Sequence, residues 1–279
     1  MTIGDWLRRA NEILTESGSP DPQVDSKWIV EDVMRLTPQE LHFQLDRSLD
    51  AESREALDAL LKRRANGEPL QYILGGAYFM GLRFHVDSRV LIPRQDTETL
   101  AESAIIALHN FKNPRVLDLC TGSGAIGISI KTLVPGAEVT LADISRDALE
   151  VAHENAHNLN ADVEIRHGDL FKAVGRERFD LIACNPPYIP RGDMEDLQKE
   201  VHYEPALALD GGADGLDLYR RIAKDAPEHL NPSGYIYLEV GIHQSEDVLN
   251  LIRESIDCAE SGIINDLNGI PRVVWARSV

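Results

Sequence analysis

The sequence is short of cysteine, of positive charge and of long apolar runs, and each scarcity removes a class of protein. Its three cysteines, Cys120, Cys184 and Cys258, are odd in number and sit in apolar stretches. They read as buried free thiols of a reducing compartment, not as a disulfide framework or a zinc knuckle. Basic residues number 28 against 46 acidic ones, for a net charge of −18. Tight non-specific binding to a polyanion takes most of its affinity from phosphate neutralisation, so this balance opposes it. The acidity is that of a solvated surface. No segment approaches membrane-spanning length, and the stretch from Met1 to Leu14 lacks the continuous apolar run of a secretory signal. The expectation is a cytoplasmic protein, a monomer, with no membrane partner and no direct nucleic-acid contact. With 279 residues, 43% of them apolar, the chain can build one large domain, or a medium one and a small one.

Residues 1–66 have helical periodicity. Ile3, Trp6, Leu7, Ala10, Ile13 and Leu14 recur at the spacing of an amphipathic helix. Asp21-Pro22 supplies an N-cap and a first-turn proline for a second helix through Trp28, Ile29 and Val33. Thr37-Pro38-Gln39-Glu40 is a capping box, and Leu57, Leu60 and Leu61 mark a last helix that ends near Gly67 with Lys62, Arg63 and Arg64 in its final turn. Nothing in this bundle forms a catalytic constellation, so its functional reading is substrate recognition and its plain reading a stabilising appendage. Tyr72-Ile73, Tyr78-Phe79 and Leu82–Val86 are β-prone pieces punctuated by glycine, which predicts a hairpin linking two domains. The predicted division is residues 1–74, a linker over 75–92, and a second domain over 93–279.

From Arg115 onward strands alternate with helices, the pattern of an α/β domain with a parallel sheet covered on both faces. The predicted strands are Val116–Cys120, Glu138–Ala142, Val163–Arg166, Phe179–Cys184 and Tyr235–Val240. Ile263-Ile264 and Val273–Ala276 form a closing hairpin at one edge.

The most informative stretch is Asn185-Pro186-Pro187-Tyr188. Two prolines end the strand before it, and Pro186 biases Asn185 toward an extended backbone that projects past the sheet. Ligands of open α/β sheets bind at such carboxyl ends. The Asn185 side-chain carbonyl and the Pro186 main-chain carbonyl can accept both N–H bonds of one planar NH2 group, with Tyr188 as a flat face for stacking. That arrangement aims a poorly nucleophilic nitrogen at an electrophile and supports the charge that forms on it. The structural alternative is a Pro-Pro loop with a turn-forming asparagine.

Gly122-Ser-Gly-Ala-Ile-Gly127 fits G-x-G-x-x-G, with Asp143 placed to accept from ribose hydroxyls. The glycine pattern alone does not separate a nicotinamide cofactor from S-adenosylmethionine. The NH2 clamp does, because hydride transfer has no use for it. His153-Glu154-Asn-Ala-His157 matches H-E-x-x-H, yet its helix already buries Leu149, Ala152 and Ala156 and shows no third ligand. It reads as a surface helix, and no metal is expected.

Gly67-Glu-Pro-Leu-Gln-Tyr-Ile73, Leu91-Ile-Pro-Arg-Gln-Asp-Thr-Glu98, Leu117-Asp-Leu-Cys-Thr-Gly-Ser-Gly124, Asn185-Pro-Pro-Tyr188 and Tyr203-Glu-Pro-Ala-Leu207 occur in this order, followed by Asp214-Gly-Leu216 and Tyr219-Arg220. Together they resemble the protein-(glutamine-N5) methyltransferases that modify peptide chain release factors, along nearly the whole chain. The resemblance implies a seven-stranded Rossmann-like methyltransferase fold behind a helical domain, S-adenosylmethionine as cofactor, and a role in translation termination. It implies as substrate the glutamine of the Gly-Gly-Gln loop of class 1 release factors. It also assigns residues. Cys120, Thr121, Gly122, Ser123 and Gly124 would wrap the methionine part of the cofactor, and Asp143 would take the ribose. Asp169 and Leu170 would border the adenine, with Asn185 facing both ligands. Asn185, Pro186, Pro187 and Tyr188 would hold the glutamine amide, and Arg94, Thr97 and Glu98 would close the site. Cys120 departs from the glycine frequent in this family. A sibling group that methylates a glutamine of a large-subunit ribosomal protein often has cysteine there, whereas Arg94–Glu98 favours the release-factor group. Adenine-N6 methylation of nucleic acid uses a similar clamp on a flipped base, and a non-catalytic binding protein is the remaining alternative.

Overall fold

The N-terminal helices form where the periodicity places them. In the computed structural model, which describes residues 1–279, α1 (Ile3–Glu16) opens on a capping box between Thr2 and Asp5 and buries Ile3, Trp6, Leu7, Ala10 and Leu14. α2 (Pro22–Met34) starts at Asp21 as expected, but the Asp21 side chain makes no capping bond, and Trp28 is exposed. α3 (Pro38–Phe43) begins with the Thr37–Glu40 capping box, and α4 (Ala51–Ala65) is capped by Asp50. Tyr72-Ile73 is not a strand. Its backbone forms a short helix, α5 (Leu70–Ile73), because Pro69 starts a helical turn and the amides of Ile73 and Leu74 bond back to Pro69 and Leu70.

Arg64 departs from its sequence role as a last-turn cation. It is buried, with Nε 2.6 Å from Asp25 and further bonds to Ser19 and to Glu200. Glu200 belongs to this unit because residues Gln198–Tyr203 pack with Met1–Gly75, while Gly76–Leu197 and Glu204–Val279 form the second unit.

The second unit begins with a hairpin, β1 (Ala77–Phe79) against β2 (Leu82–Phe84), whose Phe79 and Phe84 are fully buried in its core. Then come α6 (Gln95–Leu108), β3 (Arg115–Leu119), α7 (Ala125–Leu133), β4 (Glu138–Asp143), α8 (Arg146–Asn158), β5 (Glu164–His167) and β6 (Phe179–Cys184). α9 (Asp217–His229), β7 (Leu230–Glu239), α10 (Ser245–Ser255), β8 (Cys258–Asn265) and β9 (Pro271–Ser278) complete the chain. The seven strands lie in the order β5-β4-β3-β6-β7-β9-β8, with β9 antiparallel to both β7 and β8. This is the expected α/β sheet with a closing hairpin. Strand order reverses between β3 and β6, so their carboxyl ends flank a crevice where such sheets bind ligands.

The differences from expectation are local. β7 starts at Leu230, ahead of the apolar run, since pairing with β6 extends past it with a bulge. β3 ends at Leu119, and Cys120 has φ 58°, a left-handed conformation that leaves the strand. Only Cys184 is fully buried; Cys120 and Cys258 are half-buried, and all three thiols are free. His153, Glu154 and His157 are exposed on α8, which buries Leu149, Ala152 and Ala156. No helix is long and apolar enough to cross a membrane.

Candidate active site

A cavity of about 220 Å³ opens at the carboxyl ends of β3, β4 and β6. Cys120 to Ser123, Asp143, Asp169, Leu170, Asn185, Pro187, Arg94 and Thr97 all line it. Of the other residues singled out in the sequence, Gly124, Pro186, Tyr188 and Glu98 are not on its wall. Glu98 instead accepts the Met80 amide at 2.6 Å, tying α6 to the hairpin.

The glycine-rich loop is held from beneath by an acid that sequence reading passed over. Asp118 points up from β3, fully buried, and its Oδ2 accepts the Thr121 hydroxyl at 2.5 Å and the Gly127 amide at 2.8 Å. Burial pushes its carboxyl up to about 7, against those two bonds. Gly127 admits this approach because a Cβ there would lie 2.2 Å from Leu141 and 3.0 Å from Asp118. Asn155 of α8 fastens the same loop, donating to the Ser123 carbonyl at 2.9 Å, and also bonds the main chain of His85. The signal for both residues was a polar side chain inside an apolar pattern.

Asp143 ends β4 with one oxygen on the Gly122 amide at 2.9 Å and the other on the Ser145 amide at 2.8 Å. Burial raises its carboxyl while those amides oppose the rise. Each oxygen keeps a lone pair that can accept from a hydroxyl. Asp169 is already engaged, accepting Arg221 at 2.6 Å and Lys172 at 3.0 Å, and these cations hold it below its ordinary value. Cys120 and Leu170, at φ 58° and 50°, are both left-handed non-glycine residues on the cavity wall. Strain of this kind collects at functional sites. Arg94 pairs with the buried carboxylate of Glu204, which also accepts the Ile92 amide at 3.1 Å. The Leu91–Glu98 and Tyr203–Leu207 motifs therefore brace each other, although they are distant in sequence.

Asn185 leaves β6 into the cavity, and its Nδ2 lies 3.3 Å from Thr97 Oγ1. Pro186 is buried, and no protein group donates to its carbonyl or to Asn185 Oδ1. Tyr188 is half-buried against the core beside Gly241, and burial pushes its phenol above its ordinary value. Its carbonyl accepts Gln244 Nε2 at 2.9 Å. The next residue, Ile189, bridges to Asp210, with the Gly211 amide bonded back to Ile189 at 2.8 Å.

That bracing is close. A Cβ on Gly211 would sit 2.7 Å from Tyr188 Cα and 2.9 Å from Gly215 Cα, both main-chain atoms. Gly211→Ala is expected to lower stability by about 1–3 kcal/mol, because backbone must move. Gly192→Ala, where nothing lies within 4 Å, should be near neutral. Urea denaturation of both variants checks this, and equal midpoints would show that the contact does not matter.

Comparison with known proteins completes the picture. Residues 5–75 match the family described as the PrmC N-terminal domain, and residues 97–202 the one described as the Methyltransferase small domain. A release factor glutamine methyltransferase of Geobacter sulfurreducens is 42% identical over 98% of this chain and 94% of its own. The chain belongs to the release factor glutamine methyltransferase family. It is an S-adenosylmethionine-dependent methyltransferase. A ribosomal protein uL3 glutamine methyltransferase of Bradyrhizobium diazoefficiens is 39% identical, covering 86% of this chain and 81% of the relative. Among solved structures, a SAM-dependent methyltransferase of Agrobacterium tumefaciens superposes with a TM-score of 0.50. It is 19% identical and covers 73% of this chain and 69% of its own. That likeness carries the fold alone.

The cavity suits the cofactor. Apolar Leu119, Ile126, Ala142 and Leu170 line it, and the Asp143 carboxylate stands at its edge with acceptor capacity left for hydroxyls.

Proposed function

We propose that this protein methylates the side-chain amide nitrogen of the glutamine in the Gly-Gly-Gln loop of class 1 release factors. The observation that carries the reading is the state of the Asn185-Pro186 acceptors. Asn185 turns its N–H toward Thr97, so its carbonyl and that of Pro186 remain for the two N–H bonds of a substrate amide. Thus held, the nitrogen is oriented while its own delocalised lone pair is a poor nucleophile. Bound S-adenosylmethionine supplies an electrophilic methyl group on a sulfonium. The Asn185 and Pro186 carbonyls would stabilise the positive charge that the substrate nitrogen gains on accepting that methyl group. No general base is required before transfer, since the acidified N–H gives its proton to water afterwards.

On this reading Cys120 to Gly124 shape the methionine end, Asp143 takes the ribose, and Asp169 and Leu170 border the adenine. Arg94 and Thr97 close the site. Pro187 and Tyr188 set the backbone of the clamp, with the Tyr188 ring a stacking face only once substrate is bound. The helical unit recognises the release factor, and the enzyme works as a monomer in the cytoplasm without nucleic acid.

Ribosomal protein uL3 is a second substrate reading, favoured by the uL3-directed relative and by Cys120. Incubation with labelled cofactor and release factor, uL3 or DNA, followed by peptide mass mapping, separates these. Methylation of the Gly-Gly-Gln glutamine supports the proposal, and label on uL3 or DNA alone overturns it. Asp143→Ala is expected to weaken S-adenosylmethionine binding about tenfold or more, through loss of a charge-assisted acceptor. Calorimetry showing unchanged affinity would remove Asp143 from the ribose site.

A further inference from the structure

Glu239 ends β7 beside Asn185, one step beyond the register pair of Cys184 with Leu238. Adjacent parallel strands therefore deliver both side chains to the same place. Glu239 is 1% exposed, its carboxylate lies close enough to Thr97 and Asn185 for both to favour the ionised form, and its Oε2 has no hydrogen-bond partner in the protein. Thr97 Oγ1 also receives Asn185 Nδ2 at 3.3 Å. An ionised carboxylate only accepts, so a Thr97 hydroxyl that offers its lone pair to Asn185 is free to turn its hydrogen toward Glu239. A primary amide has two orientations of nearly equal shape. Here one of them would set Asn185 Oδ1 against a carboxylate, acceptor against acceptor. The other bonds the NH2 to Thr97, turns it to the Glu239 side and leaves Oδ1 for the cavity.

We infer that Glu239 is a positioning residue for methyl transfer, its carboxylate and the Thr97 hydroxyl together holding the Asn185 amide with its carbonyl toward the incoming NH2 group. The inference rests on the clamp reading of Asn185. It explains why an acid is kept at a strand end where burial is costly. It also makes Thr97 part of the support beneath the clamp, not only part of the cavity wall.

The charge state of Glu239 matters to this arrangement. Burial pushes its carboxyl up to about 7. The groups facing it are Thr97 and Asp96 of α6, Asn185 and Tyr188 after β6, Tyr219 of α9 and Arg272 of β9. Arg272 opposes the rise and is itself shared with Asp96 at 2.9 Å and Asp266 at 3.4 Å. Tyr219 donates to the Glu239 main-chain carbonyl at 2.6 Å, holding the strand end in place. Once protonated, Glu239 becomes a donor and can bond Asn185 Oδ1, which releases the orientation. The protonated form is the inactive one, so the transfer rate should fall as pH drops through about 7. Asp118 titrates in the same range, so the limb is assigned by the variant and not by the profile alone.

The test is single-turnover methylation of a release factor by the full-length enzyme. Glu239→Gln can donate to Asn185 Oδ1 and should slow transfer about 10–100-fold, keep S-adenosylmethionine affinity within about twofold and lose the acid limb assigned to Glu239. Combined with Asn185→Ala it should cause no further loss, because its effect passes through that amide. Thr97→Val, a gentler change that covers the case of a Glu239→Gln protein that fails to fold, should slow transfer about three- to tenfold and likewise add nothing to Asn185→Ala. A parental rate in Glu239→Gln or Thr97→Val, or losses that multiply with Asn185→Ala, would overturn the positioning role while leaving the clamp intact. A parental rate in Asn185→Ala would overturn both.

Discussion

Asn185→Ala is expected to lower kcat by about 10²–10³ while leaving S-adenosylmethionine affinity close to that of the parent. The size follows from what is removed: one preorganised hydrogen-bond partner of a group that gains charge in the transition state, worth roughly 2.7–4 kcal/mol. The selectivity follows from position. Asn185 stands at the end of β6, whereas the glycine-rich loop, proposed above to hold the cofactor, is tied by Asp118, Asn155 and Asp143. Losing the Asn185 side chain leaves all of those ties in place. Asn185→Asp keeps an acceptor toward the substrate, but sets a second carboxylate beside Glu239. Its loss should be smaller only if one of the two acids holds a proton. Calorimetry for the cofactor and rapid-quench methylation of a release factor measure the two quantities separately. A parental rate in Asn185→Ala would rule out the clamp mechanism.

The second large effect lies on the substrate. Exchanging the target glutamine of the release factor for glutamate should reduce methyl incorporation by about 10⁴-fold or more. A site built to accept two N–H bonds strongly rejects an analogue without them, because its own polar groups are left unpaired. Here the penalty is larger than a missing bond. A carboxylate would bring two acceptors against the carbonyls of Asn185 and Pro186, with Glu239 close behind. Asparagine at the target keeps the NH2 group but withdraws it by one methylene, and should be a poor substrate that is still measurable. Intact-mass analysis of the modified factor reads all three. Glutamate methylated at a rate near that of glutamine would show that recognition does not run through the amide.

The repeating architecture of this protein was legible in its sequence, because the information is local. Helical periodicity and capping boxes lie within a few residues of one another, so α1 and α3 could be placed without knowing what they pack against. The apolar run Phe179–Cys184 followed by Asn-Pro-Pro-Tyr marked both the strand and where it ends, since proline stops a ladder wherever the strand lies in the sheet. The family resemblance then joined motifs that spacing alone would have left separate.

Other features were settled only by the tertiary structure. Asp118 and Glu239 sat unnoticed inside apolar runs, where periodicity registers a strand and says nothing about the acid it carries. Their roles depend on what the sheet places beside them: the returning α7 amide for Asp118, and β6 for Glu239. The pairing of Arg94 with Glu204, the burial of Arg64 against Asp25 and Glu200, and the packing of Gln198–Tyr203 with the first unit all join residues far apart along the chain. Tyr72-Ile73 was misread for a related reason: β-branched and aromatic side chains favour a strand only where a neighbouring strand is available, and here a proline-initiated turn came first. Sequence alone brought Asn185, Asp143 and the glycine-rich loop forward as candidates for the chemistry. Strand adjacency decided that a buried carboxylate stands beside the Asn185 amide, because Glu239 arrives from the neighbouring strand.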